Sequence, residues 1–149
     1  MKSEAKVKRA TVYLRKNGVF VHSLVQTTDG VWLLWQPCLA VPRNNENEIE
    51  LAVRSALDGS RTGVPHPRSW TGLLDPLLAV AAVKTWSAFS KGASCVEVEE
   101  HGSLLVVIPM KNLGPRDGFQ AETSQQVVIE IGDRRLGAVV LKMLESAVA

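Results

Sequence analysis

The stretch VKRATVYLRKNGVFVHSLVQTTDGVWLLW, residues 7–35, decides the predicted fold. It contains three segments rich in β-forming residues, at positions 7–14, 19–26 and 31–35. The turns between them contain Asn17-Gly18 and Asp29-Gly30, and such pairs readily adopt the positive φ angles that tight hairpin turns require. The sequence therefore predicts an antiparallel β meander over this stretch.

The pattern of apolar residues differs among these strands. Side chains alternate along a strand, so in the second strand Phe20 and His22 share one face. The other face has Val19, Val21 and Val25. The third strand, VWLLW, is apolar on both faces, which is typical of a strand with both sides buried. We therefore expect the third strand to be the best covered, with Trp32 and Trp35 in the core.

A helix is predicted over residues 45–57. Asn45 can cap it by accepting a hydrogen bond from a first-turn amide, and Glu46, Glu48 and Glu50 lie near its positive end. The apolar residues fall at helical spacing on one face: Ile49, Ala52, Val53, Ala56 and Leu57. Gly59 suits the exit of the chain from this helix. The prediction is a helix that packs one face and presents an acidic face to solvent.

Residues 58–69 form a loop that contains Arg61, His66 and Arg68. Pro65 and Pro67 restrict its conformational freedom, so it is predicted to be ordered and suited to a functional role. Trp70 follows directly and is the tryptophan most expected to be exposed.

Two further helical stretches are predicted after this loop. Asp75 can cap a helix that has Pro76 at its first position, and LLAVAAV continues it with apolar residues nearly all round. This helix is expected to be buried. Trp86 and Phe89 lie three residues apart, on one face of a last helical stretch that Gly92 would end.

The remaining chain predicts a second β block and a terminal helix. Strands are expected at residues 95–99 and 104–108, the latter ending at Pro109, with weaker strands at 119–123 and 126–131. A helix begins at Asp133 and presents Leu136, Val139, Val140, Met143, Leu144 and Ala147 to the core. The predicted fold class is α+β: a single domain over residues 1–149 with an antiparallel meander and a second β block, packed with about three to four helices.

Composition supports a globular protein without export signals. The chain has 149 residues, 46% of them hydrophobic and 21% charged, which is enough to bury a core without a metal or disulfide. Neither a signal peptide nor a membrane helix is recognised, so a cytoplasmic location is expected. Cys38 and Cys95 lack metal-binding spacing and are expected to be reduced core residues.

The net charge of +2 is unevenly distributed. Residues 1–16 carry +5, because Glu4 opposes six basic residues: Lys2, Lys6, Lys8, Arg9, Arg15 and Lys16. Residues 17–149 then carry −3, with 11 basic and 14 acidic side chains. One hypothesis left open is a single-stranded nucleic-acid-binding domain that uses the basic N-terminal strands and Trp70.

No catalytic motif is evident in the sequence. His22, His66 and His101 have no sequence-local partner for general-base chemistry, although His66 with Arg61 and Arg68 leaves open an enzyme that binds an anion. In the segment CVEVEE, Glu97 and Glu99 share one face of a strand and no further ligand follows at metal-binding spacing. We therefore predict no catalytic residue, no cofactor and no metal.

Several short segments resemble a known protein family and indicate a function. The segment KTWSAF, residues 84–89, resembles the K-S-W-x-x-F step of a family of contact-dependent growth inhibition immunity proteins. Other short motifs look like that family in the same order: Pro65-x-Pro67, Cys95-Val96-Glu97-Val98, Ile108-Pro109 and Gly118-Phe119. The resemblance covers residues 10–145 in organisation. It implies a cytoplasmic protein that neutralises one toxin, commonly a nuclease and here expected to be a ribonuclease, without catalysis or a cofactor.

Such a protein needs a surface that recognises its toxin. A ribonuclease carries a positive substrate groove, so an acidic inhibitor face would match it and block the groove or active site. The candidate surface combines the acidic face of the first helix, the loop up to Trp70 and a loop at residues 111–118. Its predicted toxin-binding residues are Glu46, Glu50, Arg61, His66, Arg68, Trp70, Lys111, Arg116 and Asp117.

Overall fold

The fold was analysed in a computed structural model that describes residues 7–147. These residues form strands and helices in the order β1 (Val7–Arg15), β2 (Gly18–Gln26), β3 (Trp32–Val41), α1 (Glu46–Gly59), α2 (Asp75–Val80), α3 (Trp86–Ser90), β4 (Ser94–His101), β5 (Leu104–Asn112), β6 (Phe119–Ala121), β7 (Val127–Glu130) and α4 (Leu136–Ser146). A 3₁₀ turn, Thr123–Gln125, lies between β6 and β7.

The seven strands form one antiparallel sheet. Their order is β3-β2-β1-β4-β5-β6, and β7 pairs with the other half of β5. Arg15 pairs with Gly18 across the first hairpin, so the predicted meander is confirmed. The α+β class and the second β block are confirmed as well.

Strand β3 lies at the edge of the sheet, and the expectation that it would be the best covered strand is wrong. Leu33 is its only buried residue, and Trp35 is 40% exposed. Cys38, expected in the core, is only half-buried. Apolar residues on both faces of a strand indicate that something contacts each face, but they do not indicate whether a neighbouring strand lies on both sides.

Helix α1 forms as predicted. The Asn45 side chain accepts a hydrogen bond from the Glu48 amide at 3.0 Å, which satisfies one of the free donors at the helix start. The buried residues are those of the predicted face: Ile49, Ala52, Val53, Ala56 and Leu57. This face packs on the sheet because it carries most of the helix's apolar surface.

Helices α1 and α4 cover one face of the sheet, which we call the helical face. The main core lies there and includes Val12, Val21, Val96 and Val107 of the central strands. Helix α4 begins at Leu136 rather than Asp133, because the Asp133 carboxylate accepts from the Arg135 amide in the preceding turn. Two further details of the prediction were wrong, since Ala147 is exposed and Leu141 is buried.

The opposite face of the sheet is covered only in part, by α2 and α3. A second core forms there around aromatic rings, with Tyr13 and Phe20 on the sheet and Phe89 on α3. Leu77 is the one buried residue of α2, so the expectation of a buried helix is wrong. The helix ends at Val80, and Ala82 has a positive φ of 56° that turns the chain toward α3.

Strand β5 continues past Pro109, which had been expected to end it. Pro109 pairs with Val96 in the register of β4 and β5, and the strand reaches Asn112. The Asn112 side-chain amide then donates to the carbonyl oxygens of Ser90 at 2.8 Å and Ala93 at 2.9 Å. These bonds attach the end of the sheet to the segment that follows α3.

His22 is buried in the partly covered face and makes the stability of the fold depend on pH. Its side chain is next to Tyr13, and its Nδ1 lies 2.9 Å from the Ser23 carbonyl oxygen. Burial lowers the pKa of His22 to about 4. In the unfolded chain the pKa is about 6.5, so only the unfolded chain gains a proton as the pH falls from about 6.5 towards 4.

We therefore expect acid to destabilise the protein through His22. Between pH 7 and pH 4.5, this residue alone should remove about 2–3 kcal/mol of the free energy of unfolding. Urea titrations at the two pH values would measure the loss, and it should shrink by that amount in a His22→Gln variant. An equal loss in wild type and His22→Gln would contradict this prediction.

Candidate functional site

The segment after α1, residues 60–74, crosses one end of the sheet, and we call it the crossing loop. Its first residue, Ser60, lies between β1 and β2. The Ser60 hydroxyl accepts from the Arg9 amide at 2.8 Å and donates to the Leu24 carbonyl oxygen at 2.6 Å. Because one buried hydroxyl serves both strands, the start of the loop is fixed to the sheet.

Backbone hydrogen bonds hold the next part of the crossing loop against the end of β2. The Gln26 amide donates to the Arg61 carbonyl oxygen at 2.9 Å, and the Val64 amide donates to the Gln26 carbonyl oxygen at 3.2 Å. The Val64 side chain is buried against Val25 and Leu33. The loop is thus ordered by pairing and burial as well as by its prolines.

His66 links the crossing loop to the turn between β2 and β3. Its Nδ1 lies 3.0 Å from the Thr27 hydroxyl and 3.6 Å from an Asp29 carboxylate oxygen. The Trp70 ring packs edge-on against the imidazole, with the centroids 5.3 Å apart, and Trp70 is 54% exposed. Thr27 also accepts from the Val31 amide, so its hydroxyl is a structural group rather than an activated nucleophile. His66 therefore holds an exposed tryptophan in place.

A second exposed aromatic ring lies on the neighbouring strand. The Arg61 guanidinium lies 5.7 Å from the ring centroid of Trp35, which is the distance of a cation–π contact. Arg61 and Arg68 are both exposed, and neither forms an ion pair with a carboxylate among residues 7–147. Trp35 was not among the predicted site residues, because its place on an edge strand has no signature in the sequence.

A groove opens beside Trp35 where the crossing loop passes around the edge of β3. Its volume is about 310 Å³. It is lined by Leu34, Trp35, Gln36, Gly72, Leu73 and Pro76. Together with Arg61, His66, Arg68 and Trp70, these residues form what we call the aromatic surface.

The other predicted toxin-binding residues lie elsewhere. Glu46 and Glu50 are on α1, and the Glu50 carboxylate contacts Arg54 at 3.2 Å and accepts from the Gly137 amide at 3.2 Å. Glu50 is therefore used within the fold to join α1 to α4. Glu46 is exposed near the start of α1.

Lys111 is an exposed residue of β5, and Arg116 and Asp117 are exposed in the loop before β6. That loop lies at the end of the sheet where Leu14 pairs with Ser94, whereas the crossing loop lies at the other end. Four of the nine predicted residues lie in the crossing loop, where the structure sets Arg61 against Trp35 and His66 against Trp70.

Two of the four described cations in the basic N-terminal segment contact other groups of the fold. Arg9 forms an ion pair with Glu97, its Nε lies 3.4 Å from a Glu99 carboxylate oxygen, and it stacks over Trp32 at 4.9 Å. The Arg15 guanidinium lies over the Phe89 ring at 5.0 Å. Lys2 and Lys6 lie outside the described residues. Lys8 and Lys16 form no ion pair within residues 7–147, so the described part of the segment offers two free cations to a nucleic acid.

Glu97 and Glu99 share one strand face, as predicted. They are not an independent acidic site, because Arg9 contacts both and the His101 Nε2 lies 2.8 Å from Glu99. Within residues 7–147 no group of three His, Cys, Asp or Glu side chains is placed to hold a metal ion. No helix in the same residues is long and apolar enough to cross a membrane.

The two thiols are poor nucleophiles. Partial burial raises the pKa of Cys38 to about 11, and complete burial raises the pKa of Cys95 well above its usual value. Because the thiolate is the reactive species, neither side chain suits covalent catalysis.

Comparison with solved structures identifies proteins of the same fold. Two of them match this chain over nearly its whole length. One is a chain of the CdiA-CT/CdiI toxin and immunity complex from Yersinia pseudotuberculosis, with a TM-score of 0.75 and 14% identity over 97% of this chain and 99% of that one. The other is a protein of unknown function from Neisseria meningitidis, with a TM-score of 0.76 and 16% identity over 98% of both chains.

No family model and no curated protein sequence matches the chain. The structural likeness nevertheless leaves few residues of this chain unaligned. At this level of identity the likeness establishes the fold alone.

Proposed function

We propose that this protein is an immunity protein that binds and neutralises a contact-dependent growth inhibition toxin. The observation that carries the proposal is the full-length likeness to a chain of a toxin and immunity complex. It agrees with the resemblance of the KTWSAF segment, residues 84–89, to such proteins. Phe89 of that segment lies in the second core and Trp86 stacks on it at 5.6 Å, so this motif serves packing.

The exposed chemistry of the protein also supports a binding role. Trp35 and Trp70 are large apolar side chains held at the surface, with Arg61 against one and His66 against the other. Tryptophan and arginine are the residues most enriched at binding hot spots. A stable complex needs about 800 Å² of surface from each partner, so the aromatic surface would form the centre of a wider interface.

The proposed mechanism is direct inhibition in the cytoplasm. The toxin is expected to be a nuclease, in particular a ribonuclease, whose active site or substrate groove is blocked while the complex lasts. The immunity protein needs no cofactor for this and changes no covalent bond. Its specificity would come from the fit of one surface to one toxin.

Rescue of intoxicated cells tests the proposed function. The partner to use is the C-terminal toxin domain of a long exoprotein encoded next to this protein's gene. Cells that express the domain should grow when this protein is coexpressed, and the two proteins should copurify as a complex. A toxin domain from an unrelated system is the control and should still kill. Failure of both rescue and copurification with the neighbouring toxin domain would refute the proposal.

Replacing Trp70 should weaken the toxin complex without unfolding the protein. Trp70→Ala removes a ring that is mostly exposed, and we expect about a 30-fold rise in Kd, equivalent to about 2 kcal/mol. Calorimetric titration would measure it. Leu51 is 68% exposed on α1 and offers an apolar control, since Leu51→Ala should leave Kd nearly unchanged. A larger effect at Leu51 than at Trp70 would place the interface elsewhere.

A further inference from the structure

We propose that the aromatic surface binds an acidic segment of the toxin that also carries one large apolar side chain. This inference rests on the proposed function and adds the chemistry of the partner. It differs from the sequence-based expectation, in which acidic residues of this protein face a positive groove of the toxin.

The cations of the aromatic surface are available to a partner. Arg61 and Arg68 are exposed and form no ion pair with a carboxylate among residues 7–147. Asp58, three residues before Arg61, is exposed and forms no ion pair with it, and two other carboxylates close to the loop have different contacts. Asp29 lies 3.6 Å from the His66 Nδ1, and the Asp75 carboxylate lies against the Gly72 backbone at the start of α2.

The position of Arg61 suits recognition of a carboxylate. Its guanidinium lies against the Trp35 ring, which limits the rotation of an otherwise flexible side chain. A guanidinium held in one plane can donate two parallel hydrogen bonds to a carboxylate, and less entropy is lost when they form. A partner carboxylate would therefore meet a pre-oriented donor.

The groove beside Trp35 suits one apolar side chain. Its volume of about 310 Å³ is at the lower end of the range for small-molecule pockets. Leu34, Leu73, Pro76 and the Trp35 ring supply apolar walls. An anchor from the partner would bury this surface, while Arg61 beside the Trp35 ring and Arg68 of the crossing loop contact acidic neighbours of the anchor.

The positive charge of the aromatic surface places its contact beside the substrate groove of a nuclease toxin, not inside it. A ribonuclease lines its substrate groove with cations, which would repel Arg61 and Arg68. Glu97 and Glu99 lie on the partly covered face of the sheet. Arg9 forms ion pairs with both and neutralises part of their charge. The aromatic surface would thus bind at the border of the toxin's substrate groove. The bulk of the bound immunity protein would then exclude the substrate.

Charge reversal on the immunity protein tests the inference in the toxin complex. The double variant Arg61→Glu/Arg68→Glu should raise the Kd for the neighbouring toxin domain by about 100-fold, and Arg61→Lys should cost less because the positive charge remains. Arg116→Glu makes the same change at the opposite end of the sheet and should alter Kd by less than about three-fold. Thermal unfolding of each variant checks that the fold is intact.

The outcomes separate this inference from the proposed function. If wild type binds and protects but the double variant binds equally well or more tightly, the acidic-segment inference is wrong while the immunity function stands. If wild type does not bind, the immunity function fails, and a peptide experiment then decides the chemistry of the surface by itself.

The peptide experiment uses the blocked tripeptides Asp-Phe-Asp and Lys-Phe-Lys at millimolar concentration. Asp-Phe-Asp should shift the indole N–H resonances of Trp35 and Trp70, and the double variant should abolish these shifts. Lys-Phe-Lys should leave the resonances in place. Equal shifts from both peptides, or no shift from Asp-Phe-Asp, would overturn the inference.

Discussion

Replacing Phe89 with alanine is expected to destabilise the protein by about 3–5 kcal/mol, the largest loss we predict for a single core residue. The ring is fully buried between α3 and the sheet. Its centroid lies 4.9 Å from that of Tyr13 and 6.0 Å from that of Phe20, in edge-to-face arrangements. Truncation would remove these contacts together with the stacking on Trp86 and leave a cavity.

Arg15 increases the loss of stability that we expect for Phe89→Ala. Its guanidinium lies 5.0 Å from the Phe89 ring, and two of its nitrogens are buried without a hydrogen-bond partner. The ring face therefore provides part of the compensation for a poorly solvated cation. Without the ring, Arg15 must move toward solvent or stay uncompensated.

Urea denaturation monitored by tryptophan fluorescence and by circular dichroism would measure this loss. Phe89→Leu keeps most of the apolar volume but no ring, and should cost about 1–2 kcal/mol. The difference between the two variants reports the cavity and the aromatic contacts together. A loss below about 1 kcal/mol for Phe89→Ala would show that the second core contributes little to stability.

The second large effect is expected at Gly137, where α1 and α4 meet. A Cβ added to Gly137 would overlap the Glu46 carbonyl oxygen and lie 3.1 Å from the Glu50 Cβ. Because the first obstacle is backbone, it cannot rotate away as a flexible side chain would. Gly137→Ala should force the helices apart and cost about 3 kcal/mol or more, despite the better helix propensity of alanine.

Separation of the two helices would also break hydrogen bonds between α1 and the start of α4. Glu50 accepts from the Gly137 amide, and Arg54 donates to the carbonyl oxygens of Ile131 at 2.7 Å and Asp133 at 2.8 Å. These groups connect α1 to the segment that leads into α4. Their loss is part of the predicted cost, because each leaves a partly buried polar group without its partner.

Gly132 offers a matched control in the same segment. A Cβ added there would meet no atom within 4 Å, so Gly132→Ala should change the free energy of unfolding by less than about 1 kcal/mol. Thermal and urea unfolding of both variants would compare them directly. Similar stabilities for Gly137→Ala and Gly132→Ala would mean that the helices separate without strain.

The predictions about stability and about binding can be tested independently. Phe89 and Gly137 are buried in the two cores, whereas Trp70 and Arg61 are exposed on the aromatic surface. Core variants should reduce protection only by lowering the amount of folded protein. Surface variants should reduce affinity while thermal unfolding stays as in wild type.

Features with a local cause could be predicted from the sequence. The hairpin at Asn17-Gly18 and the cap at Asn45 depend on residues within a few positions, so composition and spacing suffice. The buried face of α1 follows from its helical period. The exposure of Trp70 was also expected, from its place close to Arg68.

Features that depend on distant neighbours could not be predicted. The apolar pattern of β3 is compatible with a central or an edge strand, and the order of the strands places it at the edge. Helix α2 looked buried because its sequence is apolar, yet it contacts the sheet mainly through Leu77. The start of α4 depends on a turn in which Asp133 bonds to Arg135.

The sequence by itself determined the α+β class, the meander and the main amphipathic helix, because these follow from local backbone preferences and the period of the apolar residues. Only the tertiary structure decided which predicted site residues meet. It placed Arg61 on Trp35 and His66 against Trp70, while Arg116 lies at the far end of the sheet. The physical reason is that strand order and chain crossings arise from long-range packing, which residue spacing along the chain does not encode.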